Sequence, residues 1–359
     1  MNIILPFNKP IEAYNPADAI TTSILSGYND RDELINCLWQ TFSFAFEENN
    51  NNYLDVHLWH QSAKISRKMV PRVILSKSTQ VSICNFLVEA LQNHYYIFLV
   101  LDRAKIKIFD NTTFFPHLVT IYGTDNINKE FYIADFDGTK GYVFLKIPFN
   151  EVNDAYHSIM DKIQNLPEAG IEYDWITNIE LNKYNSNLCT TMREETIAEE
   201  IGIMLQSIYP ANIDNLYNGN IARFNQTKFI SVPIQNTLAG WNVFIELITH
   251  LKKAIKDDIF IIDRKHFYFF YAYTLLLKEK VDILSLIKPE GEENKILNLR
   301  KKVEKILSCY RICLNMGLKY LLNNQTEILE RTITLLEENT LKLYYAICEF
   351  KEVLIEKRK

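Results

Sequence analysis

FFPHLVTIYGTDNINKEFYIAD, residues 114–135, reads as two strands joined by a polar turn. His117 stands at the start of the first strand and Asp135 at the end of the second. A hairpin pairs its strands head to tail, so these two positions meet at the open end, away from the turn. A carboxylate beside an imidazole is the arrangement that orients histidine for general-base work. Asp125, Asn126 and Asn128 offer oxygens within the turn, but the twelve-residue calcium-loop pattern with its closing glutamate is absent. They read as turn residues.

The flanking sequence extends the sheet. YYIFLVLD at 95–102, KIKIFD at 105–110 and YVFLKIPF at 142–149 are strand-like runs separated by turn residues. The continuous apolar run of the first marks a central strand, and alternation marks KIKIFD as a strand with one wet face. His57–Ala63 and Val70–Leu75 read as further strands. Helices are expected over Asn15–Gly27, Arg31–Glu48 and 78–93, the last capped by Ser78 and striped by Val81, Cys84, Leu87, Val88 and Leu91. Asn150–Glu151 opens another, EVNDAYHSIMDKIQ.

After a loop at 166–190 the pattern turns helical, over 193–208, 237–256, 264–284, 293–323 and 325–356. The expected fold class is therefore α+β: a mixed sheet-and-helix domain over 1–165, a linker over 166–190, and an all-α bundle over 191–359. At 359 residues, two domains are expected.

Composition narrows the function classes. A hydrophobic content of 48% excludes wholesale disorder. The formal net charge of −5, with no basic stripe, speaks against nucleic-acid binding. The longest apolar-aromatic runs, 95–101 and 266–277, fall short of the roughly 20 residues that span a bilayer, so no membrane partner is expected. Met1–Pro6 has neither a basic start nor a long apolar run, which points to a cytoplasmic, reducing compartment. Cysteines 37, 84, 189, 309, 313 and 348 form no CxxC pair and read as small buried residues.

Other motifs have plain explanations. His57 and His60 in VHLWH point to opposite faces of a strand and cannot share a metal. DGTKG at 137–141 lacks the Walker-type ending. Asp263 reads as a helix N-cap. The aromatics Phe267, Tyr268, Phe269, Phe270, Tyr271 and Tyr273 read as core packing, with an acyl-chain groove as the sharper alternative. No metal ligands and no cofactor-binding residues are identified.

Four stretches taken together resemble the family of the butirosin-biosynthesis protein H. They are AYNPADAITTSIL at 13–25, YYIFLVLD at 95–102, the hairpin from His117 to Asp135, and the pair GWNVFIELI at 240–248 with IDRKHFYFFYAYTLLLKEK at 262–280. The resemblance covers most of the chain and implies a papain-like cysteine acyltransferase domain followed by a family-specific helical region. It further implies antibiotic or nonribosomal-peptide biosynthesis, with acyl groups carried as thioesters on an acyl or peptidyl carrier protein and transferred to an amine. His117 would be the base and Asp135 its orienter, facing the start of the opening helix. The family's nucleophilic cysteine has no counterpart: Asn15 is followed by Pro16, Ala17 and Asp18, and the first cysteine is Cys37. Proline and alanine cannot attack a carbonyl, and losing the nucleophile of a comparable triad costs about 10⁶-fold in turnover. Thr21, Thr22 and Ser23 lie too deep in the opening helix to feel its N-terminal field. Two readings follow: a papain-like acyltransferase homologue degenerate at its nucleophile, or a non-catalytic binding or accessory protein of a biosynthetic assembly line.

Overall fold

The computed structural model describes residues 2–11, 16–39, 42–48, 52–60, 62, 64–77, 82–137, 141–164, 174–188, 237–287 and 293–355. The helix expected over 193–208, the cap at Ser78, Gly138 and Cys189 lie outside the described residues. The protein is a mixed α+β chain of two compact units, each discontinuous in sequence.

The first unit holds the described residues of 2–34 and 62–188. Its sheet runs β4 (Ile65–Pro71), β9 (Asn178–Tyr184), β5 (Tyr96–Asp102), β6 (Pro116–Asp125), β7 (Glu130–Asp137), β8 (Gly141–Pro148). Every described pairing in it is antiparallel. β5 is buried at all seven positions, as its unbroken apolar sequence requires. β1 (Asn2–Ile4) pairs with the far end of β6, from Gly123 to Asp125. A Cβ on Gly123 would lie 2.6 Å from the Ile3 carbonyl oxygen, so this close approach needs glycine. Tyr122 is the extra residue of a bulge between Ile121 and Gly123. At the β6–β7 turn, Asp125 accepts hydrogen bonds from the amides of Ile127 (3.0 Å) and Asn128 (3.1 Å) and from Asn128 Nδ2 (2.8 Å). These bonds close the turn.

Helices cover both faces. α1 (Pro16–Gly27) packs through Ala19 onto Ala134 and Tyr142, beside Phe7, Tyr122 and Phe136. α5 (Phe149–Gln164) starts with Phe149 stacked at 4.3 Å on Phe131, whose side chain alternates to the opposite face from Ala134. α4 (Ile83–Gln92) is capped by Ser82, which accepts from the Asn85 amide, and packs on β5 and β6. Short helices α3 (Arg72–Lys77) and α6 (Asp174–Thr177) complete the unit.

Several expectations are corrected here. KIKIFD is no strand: two 3₁₀ turns, Arg103–Lys105 and Lys107–Phe109, take its place. The buried Asp102 caps the first of them, accepting from the Ala104 amide at 3.0 Å, so the chain leaves the sheet there. The segment 166–190 is more than a linker, because it contributes β9 to the sheet between β4 and β5.

The second unit holds the described residues of 35–60 and 237–355, so 35–61 does not belong with the N-terminal sheet. The helix expected over Arg31–Glu48 stops early: α2 covers Arg31–Trp39, and Phe42–Glu48 is β2. β2 pairs with β3 (Tyr53–Trp59) and with β10 (Thr237–Ala239), making a three-stranded antiparallel sheet. The C-terminal half is therefore not all-α. Its helices are α7 (Trp241–Lys256), α8 (Arg264–Ile287), α9 (Glu293–Asn323) and α10 (Thr326–Ile355), of which α8–α9 and α9–α10 pack as neighbours. Phe267, Phe269 and Phe270 are fully buried and Tyr273 is buried, so these four of the α8 aromatics are core, whereas Tyr268 and Tyr271 are half-buried. Asp263 accepts from the Lys265 amide at 2.8 Å at the start of α8, the capping role its position suggests.

Candidate functional site

His117 and Asp135 meet at the open end of the β6–β7 hairpin, with Nδ1 of the histidine 2.9 Å from Oδ1 of the aspartate. The oxygen stands off the N–H direction, so the contact is a close pair and not an aligned hydrogen bond. Asp135 is fully buried. Arg103, from the turn after β5, grips the same carboxylate with both arms of its fork: Nη2 to Oδ1 at 2.7 Å and Nε to Oδ2 at 3.2 Å. The Phe136 amide adds a bond of 2.6 Å to Oδ1, and Arg103 Nη2 donates to the Phe136 carbonyl at 2.6 Å. Bidentate, charge-assisted contacts of this kind are strong and fix geometry. Asp135 therefore serves a guanidinium first and an imidazole second.

Aromatic side chains line the pair. The Phe115 ring stacks on His117 at 5.9 Å, and the Arg103 guanidinium lies 4.4 Å from the centre of the Phe109 ring. Phe114, Phe115 and Ile108 are large exposed apolar residues of the same loop, and Lys162 of α5 lies over Phe114 at 5.4 Å. Asp102 anchors this loop, accepting from the Phe115 amide at 2.9 Å and from Ser158 Oγ at 2.6 Å. The His117 side chain keeps 22% of its surface in solvent, and among the described residues its Nε2 has no hydrogen-bond partner.

Ala19 sits one turn into α1 and packs against Ala134 and Tyr142. Residues 134 and 135 alternate along a regularly paired strand, so Asp135 turns to the other face of the sheet. Helix α1 and the His117–Asp135 pair thus occupy opposite faces, whereas the resemblance implies that the pair faces the helix start. Pro16 and Ala17 open α1, and their side chains lie outside the described ones.

Cys84 is the one cysteine among the described residues of the first unit. Its Sγ donates to the Phe149 carbonyl at 3.4 Å, and the Phe149 amide bonds Lys129 in the turn of the hairpin. The turn lies eight residues along β6 from His117, about 26 Å at 3.3 Å per residue. Burial also pushes the Cys84 thiol up to about 11, far from a thiolate at neutral pH. Of the other candidates, His60 is buried, and among the described residues no group of three or more His, Cys, Asp and Glu could hold a metal. No described helix is long and apolar enough to cross a membrane.

Arg103 is the side chain of the candidate site that the sequence pattern does not single out. Its signal was a charged residue placed directly after an otherwise apolar central strand, where the next element must leave the sheet. Compared with known proteins, the chain matches no family model and no curated protein.

Proposed function

We propose that the chain is a catalytically silent homologue of papain-like acyltransferases of the butirosin-biosynthesis protein H type. In this reading it binds acyl groups presented by an acyl or peptidyl carrier protein and forms no acyl-enzyme. The Arg103–Asp135 ion pair carries the reading. In a working triad the carboxylate stabilises the imidazolium that forms when histidine takes the nucleophile's proton. Here the negative charge of Asp135 is already answered by a buried guanidinium at 2.7 Å, which leaves less of it for His117. Within the first unit the one described thiol, Cys84, lies by the hairpin turn at the far end of β6 from His117, which points the same way. The exposed Phe114, Phe115 and Ile108 suit an acyl chain.

The His117 side chain is partly exposed, and its Nε2 has no hydrogen-bond partner among the described residues, which favours a second reading in which histidine activates water or an amine without a covalent intermediate. One experiment separates the two. The protein is incubated with octanoyl-N-acetylcysteamine, an activated thioester, and followed by intact-mass spectrometry and by thiol release. The proposal expects no acyl adduct and no thiol release above buffer, with saturable binding that weakens in His117→Ala. Thiol release lost in His117→Ala supports the second reading, and a mass shift of one acyl group on any residue overturns both.

A further inference from the structure

Arg72 is the first residue of α3 and is 1% exposed. Its Nη2 donates to the Val100 carbonyl of β5 at 2.6 Å, and its guanidinium carbon lies 4.8 Å from the centre of the Tyr156 ring on α5. The remaining donors, Nε and Nη1, are buried without a hydrogen-bond partner. Among the described residues no carboxylate is ion-paired with this guanidinium. The Tyr156 hydroxyl is buried and unpartnered as well.

This is an expensive arrangement. A charge taken out of water is compensated only by an opposite charge and by hydrogen bonds that satisfy its remaining protons. One carbonyl and one aromatic face supply neither the charge nor the second arm of the fork. Burial accordingly pulls the Arg72 pKa down to about 10, and it raises that of Tyr156. Every other buried arginine described here has its counter-charge: Arg103 pairs with Asp135, and Arg67, largely buried, lies 3.6 Å from Glu180.

We infer that Arg72 and Tyr156 form a closed binding site for a compact oxyanion, a carboxylate or phosphate group held by the free arm of the guanidinium and by the tyrosine hydroxyl. Charge decides the class. The unpaired group is a cation, and the neighbouring unpartnered hydroxyl can donate, so the complement is an anion with at least two acceptor oxygens. A planar fork accepts both carboxylate and phosphate oxygens, so the two sources share one chemistry.

The test is calorimetric titration of the full chain with sodium phosphate and, separately, sodium acetate, against sodium chloride at equal ionic strength. Thermal melting is recorded alongside. Saturable binding with a rise in Tm is expected from phosphate or acetate and not from chloride. A response to phosphate alone assigns a phosphoryl group, and one to acetate alone assigns a carboxylate. Arg72→Met should abolish the response, and Tyr156→Phe should weaken affinity about tenfold, the worth of one hydrogen bond to a charged group. No saturable response in the wild type overturns the inference, as does an equal response in Arg72→Met. If Arg72→Met does not fold, Tyr156→Phe decides: unchanged affinity overturns the site.

Discussion

Asp135 is the residue on which the candidate site turns, because two cations compete for one buried carboxylate. Arg103 holds it through two bonds and His117 through one poorly aligned contact. Removing one partner of a buried ion pair strands the other charge, at a cost of about 3–5 kcal/mol. Arg103→Met should therefore destabilise the first unit by about that amount, measured by urea denaturation. His117→Ala should cost much less, since Asp135 keeps its guanidinium. If the two substitutions cost the same, Asp135 belongs to the histidine and the silent-site reading loses its main support. The sequence made His117 and Asp135 legible because a hairpin juxtaposes the ends of two neighbouring strands. Arg103 lies 32 residues from Asp135 and opens the 3₁₀ turn Arg103–Lys105, just where the chain leaves the sheet and before the KIKIFD run whose alternation suggests a strand. Local pattern cannot report a partner that only the folded sheet brings near.

Among the elements, those whose apolar pattern matched their burial were read correctly. β5 is continuous and fully buried, and the long C-terminal helices carry clear stripes. β9 was missed because its sequence, NIELNKY, places Glu180 and Asn182 at buried positions, so a core strand looks like a polar loop. The β2–β3 hairpin hid behind the apolar run that continues from α2. It is tied to α8 by side chains: the Tyr53 hydroxyl donates to Asp263 at 2.8 Å, and His266 Nε2 bonds the Leu54 carbonyl at 2.9 Å. His266 stacks at 5.2 Å on His250 of α7, whose Nε2 bonds the Ile261 carbonyl at 3.0 Å. Burial lowers the His250 pKa from 6.5. His266 and Lys253 push the same way, while the Ile261 carbonyl and Glu246 oppose them. The unfolded chain therefore takes up a proton near pH 6.5 that the folded chain refuses. Because the unfolded state binds more protons below that pH, stability should fall as pH drops from about 6.5 toward 5. In His250→Gln, which keeps a donor for Ile261, the fall should be shallower in chemical denaturation run across that range. Identical slopes in the two proteins would remove His250 from the account.

At the scale of the whole molecule, the two units interleave along the chain, and a cut at a sequence boundary does not yield a unit. A fragment of residues 1–190 keeps β2 and β3 but loses β10, α7 and α8, against which this hairpin is paired and bonded. Ala45, Leu54, Val56 and Leu58, all at most 1% exposed in the full chain, would then face water. Apolar surface of that kind, on a strand with an open edge, drives aggregation. The structure also indicates a better excision. Glu33 Oε1 accepts from Ser62 Oγ at 2.5 Å, and Asp30 pairs with Lys64 at 2.7 Å, so the chain leaves and re-enters the first unit at nearly the same place. A short glycine–serine bridge replacing residues 35–61 needs to span little distance, and a short loop adds little closure entropy. The bridged fragment should remain soluble and unfold in one cooperative transition, whereas the uncut 1–190 fragment should bind a hydrophobic dye and aggregate. Size-exclusion chromatography and thermal melting of the two fragments decide the matter. A monomeric, cooperatively melting 1–190 fragment would mean that the hairpin finds its stability within the N-terminal half, and the division into units would have to be redrawn along the sequence boundary.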